Sequence, residues 1–115
     1  MISHKIVPNI SVDCVVFGFD FEKLNVLLVK REMVDEKSGK VLILDHPLAG
    51  YHIFEDEDLD SAATRILKGL TGLDNIFLEQ FGAFGQLDRV SSPKDKMWLD
   101  YINQGFADRV VTVGY

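Results

Sequence analysis

Apolar residues along the chain follow two different periods, and the change between them marks out the elements. Residues 10–19 are rich in Val, Ile and Phe, and residues 24–29 repeat that signal after a polar link holding Asp20, Glu22 and Lys23. Two β-branched and aromatic runs joined in this way predict a β-hairpin. Residues 32–40 are polar and end in Ser38-Gly39-Lys40, which predicts a loop, and residues 41–44 predict a short strand before Pro47. The period then lengthens. Leu59, Ala62, Ala63, Ile66, Leu67 and Leu70 recur at spacings of three and four, so a helix over Leu59–Thr71 is predicted to turn Leu59, Ala63, Ile66, Leu67 and Leu70 inward. Asp58 can cap its first turn, Asp60 suits the positive end of its dipole, and Gly72 can take the left-handed conformation that stops it. Residues 76–84 and 110–115 predict two further strands. The stretch 85–108 between them is too long for an ordinary connection, and Met97-Trp98-Leu99 with Tyr101-Ile102 fits a short helix inside it.

This order of elements predicts an α+β domain in which a helix packs on a mixed β-sheet. A chain of 115 residues, 47% of them hydrophobic, supports one core and therefore one domain, 1–115. The last strand runs into Tyr115 with no turn behind it, an unusual way to close a sheet, which predicts that the sequence is the N-terminal fragment of a longer, truncated protein. Charge narrows the partners: 12 basic against 18 acidic side chains give a net charge of −6, which argues against direct binding to a nucleic-acid backbone. Cys14 is the sole cysteine and has apolar neighbours, so it reads as a buried small hydrophobe in a reducing cytoplasm. No run approaches the roughly 20 apolar residues of a membrane span, and the first residues lack the apolar core of a secretory signal. The expectation is a soluble cytoplasmic protein with no membrane partner.

The chemistry-bearing stretch is Leu48-Ala49-Gly50-Tyr51-His52-Ile53, then the acids Glu55 to Asp58 and Asp60, then Arg65 through Leu73. It resembles the Nudix box, G-x5-E-x7-R-E-U-x-E-E-x-G-U with U a bulky apolar residue. Setting the box Arg and final Gly on Arg65 and Gly72 places its first Glu on Glu57 without a gap, and Leu67 and Leu73 fall on the apolar positions. Tyr51 replaces the leading Gly, and Ile66, Gly69 and Leu70 replace the other three glutamates. Carboxylates at such spacings share a helix face and supply the hard oxygen ligands that hold Mg²⁺ beside a diphosphate. Ile66 and Leu70 cannot ligate a cation, and Gly69 weakens a helix by about 1 kcal/mol relative to Ala. The expectation is a domain with no catalytic residues, no metal and no other cofactor.

Beyond the box, the chain resembles the Nudix-related transcriptional regulators (the NrtR and AraR type), over roughly residues 9–115. The resemblance is carried by Val12-Asp13-Cys14-Val15-Val16-Phe17-Gly18-Phe19, Leu27-Leu28-Val29-Lys30-Arg31, Leu70-Thr71-Gly72-Leu73, Leu78-Glu79-Gln80-Phe81-Gly82-Ala83-Phe84-Gly85, Asp88-Arg89 and Arg109-Val110-Val111-Thr112-Val113-Gly114-Tyr115. It implies a Nudix-like domain that binds a small effector, ADP-ribose or a sugar such as arabinose, ahead of a winged-helix DNA-binding domain that lies outside this chain. Two departures bear on the effector. Leu48-Ala49-Gly50-Tyr51 stands where that branch has Leu-Pro-Gly-Gly, and about twenty residues separate Asp88-Arg89 from Arg109-Val110 where relatives have only a few.

Several residues admit two readings. The acids around Glu57 are either a residual metal site or a solvated cap for the helix. Arg65 either meets a ligand phosphate or orients the acidic loop by a salt bridge to Glu57. His52 either bonds an effector hydroxyl or sits on the surface. His4 and His46 show no metal-ligand spacing and read as surface residues. Asp88 and Arg89 either read a ligand at a strand end or form an exposed ion pair. Trp98 and Tyr101 form either a lid or an anchor for the loop. The candidate ligand-binding set is Tyr51, His52, Asp88 and Arg89, with Gly50, Glu57, Arg65 and Gly72 as remnants of the box. Three functions follow: an inactive effector-binding domain of a bacterial regulator, a Nudix hydrolase of a nucleoside diphosphate derivative such as ADP-ribose, and a dimerisation or scaffold domain. A homodimer is compatible with each.

Overall fold

The computed structural model describes residues 5–87, 92–103 and 109–115. In chain order the elements are β1 (Ile6–Cys14), β2 (Phe17–Phe19), β3 (Leu24–Val26), β4 (Arg31–Val34), β5 (Val41–Asp45), β6 (Ala49–Phe54), α1 (Leu59–Thr71), β7 (Gly82–Phe84), α2 (Pro93–Asn103) and β8 (Val111–Gly114). Four strands form a sheet of order β6-β1-β8-β7, in which β1 runs antiparallel to β6 and parallel to β8, and β8 antiparallel to β7. The expected α+β class with a mixed sheet is what the chain adopts.

Strand β1 divides the domain into two faces. Its alternate residues Val12 and Cys14 are buried against Ala62, Ala63, Ile66 and Leu67 of α1, with Ala49, Ile53 and Val113 completing the cluster from neighbouring strands. Cys14 Sγ lies 3.6 Å from the Ala63 carbonyl oxygen, and burial, followed by the nearby Asp13 charge, pushes its thiol up to about 11. The opposite face of β1 carries Ser11 and Asp13.

Helix α1 has the predicted bounds and caps. The Ser61 N–H donates to Asp58 Oδ1 at 2.8 Å, and Gly72, at φ 78°, donates its N–H to the Lys68 carbonyl at 2.8 Å. Only its inward face differs from expectation. Ile66 is 2% exposed, but Leu70 is 47% exposed, because burial against β1 and β6 stops at Leu67, one turn before the helix ends.

Elsewhere the strands are shorter and differently paired than the apolar runs predict. Residues 10–19 do not form one strand: β1 ends at Cys14, and only Phe17–Phe19 pairs with Leu24–Val26 as a hairpin. The break occurs where Val15 donates to the Tyr115 carbonyl at 2.7 Å, tying that point of the chain to β8. Part of the stretch expected as a loop is β4, antiparallel to β5, since polar Arg31 and Glu32 are well suited to a ribbon edge. Residues 76–84 contribute only Gly82–Phe84. β8 is an interior strand, and Tyr115 is buried, with its hydroxyl donating to Asp60 at the start of α1.

The two residues that periodicity treats alike should therefore respond differently to truncation. Ile66→Ala is expected to cost about 2–5 kcal/mol and Leu70→Ala no more than about 0.5 kcal/mol, measured by urea unfolding of the two variants beside the parent.

Candidate functional site

The polar face of the sheet lines a cavity of about 250 Å³. Ser11 and Asp13 of β1, Gly50 and His52 of β6, and Thr112 of β8 meet there because their register sets Ser11 opposite both His52 and Thr112, and Asp13 opposite Gly50. Ser11 Oγ and Thr112 Oγ1 lie 2.8 Å apart in a hydrogen bond. A Cβ at Gly50 would stand 1.8 Å from Asp13 Oδ1, so the Asp13 carboxylate lies in the space that a side chain there would fill and would have to turn aside for one. Helix α2 supplies the far wall with Asp95, Trp98 and Leu99.

Arg31 joins the wall to the β4–β5 ribbon. Its Nε and Nη2 donate to Asp45 at 2.7 and 2.5 Å, Nη2 also lies 3.4 Å from Asp95 Oδ1, and the guanidinium sits 5.5 Å from the centre of the Trp98 ring. This two-bond pairing holds the Asp45 carboxyl below the usual carboxylate range, and the same bonds, led by Asp45, raise the affinity of Arg31 for its proton.

His52 is 3% exposed, so the surface reading fails. Its Nδ1 lies 3.3 Å from the Ile10 carbonyl oxygen, which can only accept, so Nδ1 carries the proton and Nε2 is left as an acceptor. Burial lowers the pKa of His52 below its ordinary value, partly offset by that bond, and keeps the ring neutral. Tyr51 contributes to the cavity rim, packs partly against the core and meets the His52 ring edge-on at 5.8 Å. Asp88, Arg89 and His4 fall outside the described residues.

Of the box remnants, Gly50 lies in the cavity, and Glu57 and Arg65 form a separate cluster between β6 and α1. Arg65 donates through Nε to Glu57 Oε2 at 2.5 Å and through Nη2 to Glu57 Oε1 at 2.9 Å, while Nη2 also reaches the His52 carbonyl at 3.0 Å. Glu57 Oε1 accepts the Phe54 N–H at 2.8 Å, and the guanidinium stacks 3.8 Å over the Phe54 ring. Glu57 and Arg65 thus clamp the turn between β6 and α1. Gly72 is the helix stop. Among the described residues no group of three His, Cys, Asp or Glu is placed to hold a metal ion.

Sequence reasoning missed Ser11, Asp13, Arg31, Asp95 and Thr112. For the first two a signal existed: Ser11 and Asp13 alternate with Val12 and Cys14, the mark of a strand with one polar face. Arg31 and Asp95 are 64 positions apart and no local pattern joins them.

The buried neutral imidazole makes a pH prediction. An unfolded His takes up its proton near pH 6.5, and folded His52 does so only at lower pH, so below about 6.5 the unfolded state binds more protons and stability falls as pH falls. Between about pH 7.5 and 5.5 the urea midpoint of the protein should drop more than that of His52→Gln.

No protein-family model matches the chain. The ADPR responsive transcriptional repressor NtrR of Acinetobacter baylyi is 32% identical over 82 residues, which cover 71% of this chain and 31% of the repressor. The chain therefore spans under a third of the curated relative that it matches. A mutT/nudix family protein from Listeria innocua superposes with a TM-score of 0.60 over 92% of this chain and 61% of that one, at 20% identity. At that identity the likeness speaks for the fold alone, and it agrees with the box remnants and the sequence match to the repressor. The chain thus has a Nudix-like fold and is similar in sequence, over 82 residues, to an ADPR responsive transcriptional repressor.

Proposed function

We propose that this domain is a catalytically inactive effector-binding module of a bacterial transcriptional regulator, taking a small polar ligand of the sugar or ADP-ribose type. The observation that carries this reading is a separation of parts. The one remaining box glutamate, Glu57, is engaged with Arg65 and the Phe54 N–H, the other box positions are Ile66, Gly69 and Leu70, and the polar cavity lies on the other face of the sheet from α1. Binding and box chemistry no longer share a surface. Contact with DNA belongs, on this reading, to a winged-helix domain outside these 115 residues. The similarity to an ADPR responsive repressor supports the regulator assignment.

A hydrolase would need a carboxylate set that orients a metal beside a diphosphate and lowers the barrier by at least about 8 kcal/mol. Glu57 held by a guanidinium is poorly suited to that task. Purified protein with Mg²⁺ or Mn²⁺ is expected to leave ADP-ribose unhydrolysed, while Glu57→Gln lowers unfolding stability by about 1–3 kcal/mol through loss of the Arg65 partner. Metal-dependent turnover abolished in Glu57→Gln would establish the hydrolase instead. In parallel, a thermal-shift screen of sugars, sugar phosphates and ADP-ribose should raise the melting temperature for at least one ligand, since binding to the folded state alone stabilises it.

A further inference from the structure

One face of the β2–β3 ribbon is left uncovered by the rest of the domain. The register sets Phe17 opposite Val26 and Phe19 opposite Leu24, with Gly18 opposite Asn25 between them. Opposed residues, and alternate residues along a strand, share a face, so Phe17, Phe19, Leu24 and Val26 make one wholly apolar face and Gly18 and Asn25 lie on the other. Phe17 is 63% exposed, Phe19 68%, Leu24 68% and Val26 44%, and Phe21, whose ring lies 6.4 Å from that of Phe19, extends the patch at 93%. Among the described residues β2 and β3 pair only with each other. A two-stranded ribbon is marginal by itself in water and gains stability when its apolar face is packed.

Area and charge together identify what fits there. At about 200 Å² for a phenylalanine, the three rings alone leave on the order of 450 Å² exposed, and Leu24 and Val26 carry the patch to the upper end of the roughly 300–600 Å² found for the largest patch on an ordinary monomer. Two such faces stacked on each other remove on the order of 1,000 Å² from water, the area at which a specific interface becomes stable. The face itself carries no charged side chain. The nearest charges in sequence belong to the turn, where Asp20 is taken up by the N–H groups of Glu22 and Lys23 and by Asn25 Nδ2. A charged partner would find nothing on this face to pair with. A second copy of the chain, although its net charge is −6, meets an uncharged apolar centre and keeps its charges at the rim. Stacked sheets lie about 10 Å apart, which lets the rings of one ribbon interdigitate with those of the other.

We propose that two copies of this chain associate by stacking the Phe17, Phe19, Leu24 and Val26 faces of their β2–β3 ribbons about a two-fold axis. None of these residues lines the cavity, so the proposal stands or falls apart from the effector reading. Sedimentation velocity on the purified 115-residue chain from about 5 to 500 μM, a range that brackets the micromolar affinities open to an interface of this size, tests it. The sedimenting mass is expected to rise from one chain to two across that range. Phe19→Lys and, separately, Phe17→Lys should weaken association by at least about thirtyfold, the scale of a central interface residue. Both side chains are exposed in the single chain, so circular dichroism of either variant should match the parent, and if one fails to fold the other decides. Leu44→Lys, on the exposed face of the other ribbon, should leave association unchanged. A chain that stays monomeric throughout overturns the proposal and gives the face to a different occupant, either residues of a longer chain or another protein. A dimer that survives both phenylalanine substitutions, or association lost equally in all three variants, overturns it as well.

Discussion

The parallel pairing of β1 with β8 sets Ser11 beside Thr112 and Val12 beside Val113, and most of the domain depends on that register. Side chains alternate across a strand, so a slip of β8 by one residue against β1 would turn Val113 out of the core and put Thr112 under α1 in its place, while β1 stays registered on β6. Four further hydrogen bonds hold the register. Asn9 Nδ2 donates to the Arg109 carbonyl at 2.9 Å, the Ser11 and Thr112 hydroxyls share a bond, and Tyr115 both receives the Val15 N–H and donates its own N–H to the Asp13 carbonyl at 2.9 Å. A strand from the far end of the chain thereby builds one wall of the core and one wall of the cavity.

The same sheet explains how a Nudix scaffold can persist without the box carboxylates. Ile66 lies in the apolar cluster, adding buried surface where a glutamate would need a cation or a partner. The pairing of Glu57 with Arg65 serves geometry: Glu57 accepts the Phe54 N–H, Arg65 donates to the His52 carbonyl, and the turn from β6 into α1 is held from both sides. Through His52, whose backbone faces this clamp and whose side chain lines the cavity, box and cavity are mechanically joined while remaining chemically distinct.

Much of this was legible in the sequence where one local period decides the structure. The 13-residue helix, with its Asp58 cap and its Gly72 stop, follows from spacing and backbone preference along that one segment. Strand limits were less legible, because β-branched runs such as residues 10–19 are equally compatible with one strand or with two that pair with different neighbours, and that choice lies with β6 and β8 far along the chain. Leu70 shows the same limit on the helix: periodicity places it on the inward meridian, but how far the sheet extends beneath it is a tertiary matter. For the candidate site, Gly50, Tyr51 and His52 were found through the box, whereas the Arg31, Asp45 and Asp95 cluster depends on contacts across 14 and 64 positions that no motif encodes.

That cluster also bears on how the cavity can respond to a ligand. α2 reaches the rest of the domain through Leu99, which is buried, and through Asp95 and Trp98 against Arg31. Of the two carboxylates on Arg31, Asp45 has the shorter and doubly bonded geometry, so Asp95 is the partner more readily given up when something else competes for it. A ligand hydroxyl in the cavity would be such a competitor, taking the Asp95 carboxylate while Arg31 stays paired to Asp45. Were a ligand to take Asp95 in this way, the contacts of α2 would differ between the empty and the occupied cavity, which is the thermodynamic condition on which the proposed effector-binding role depends.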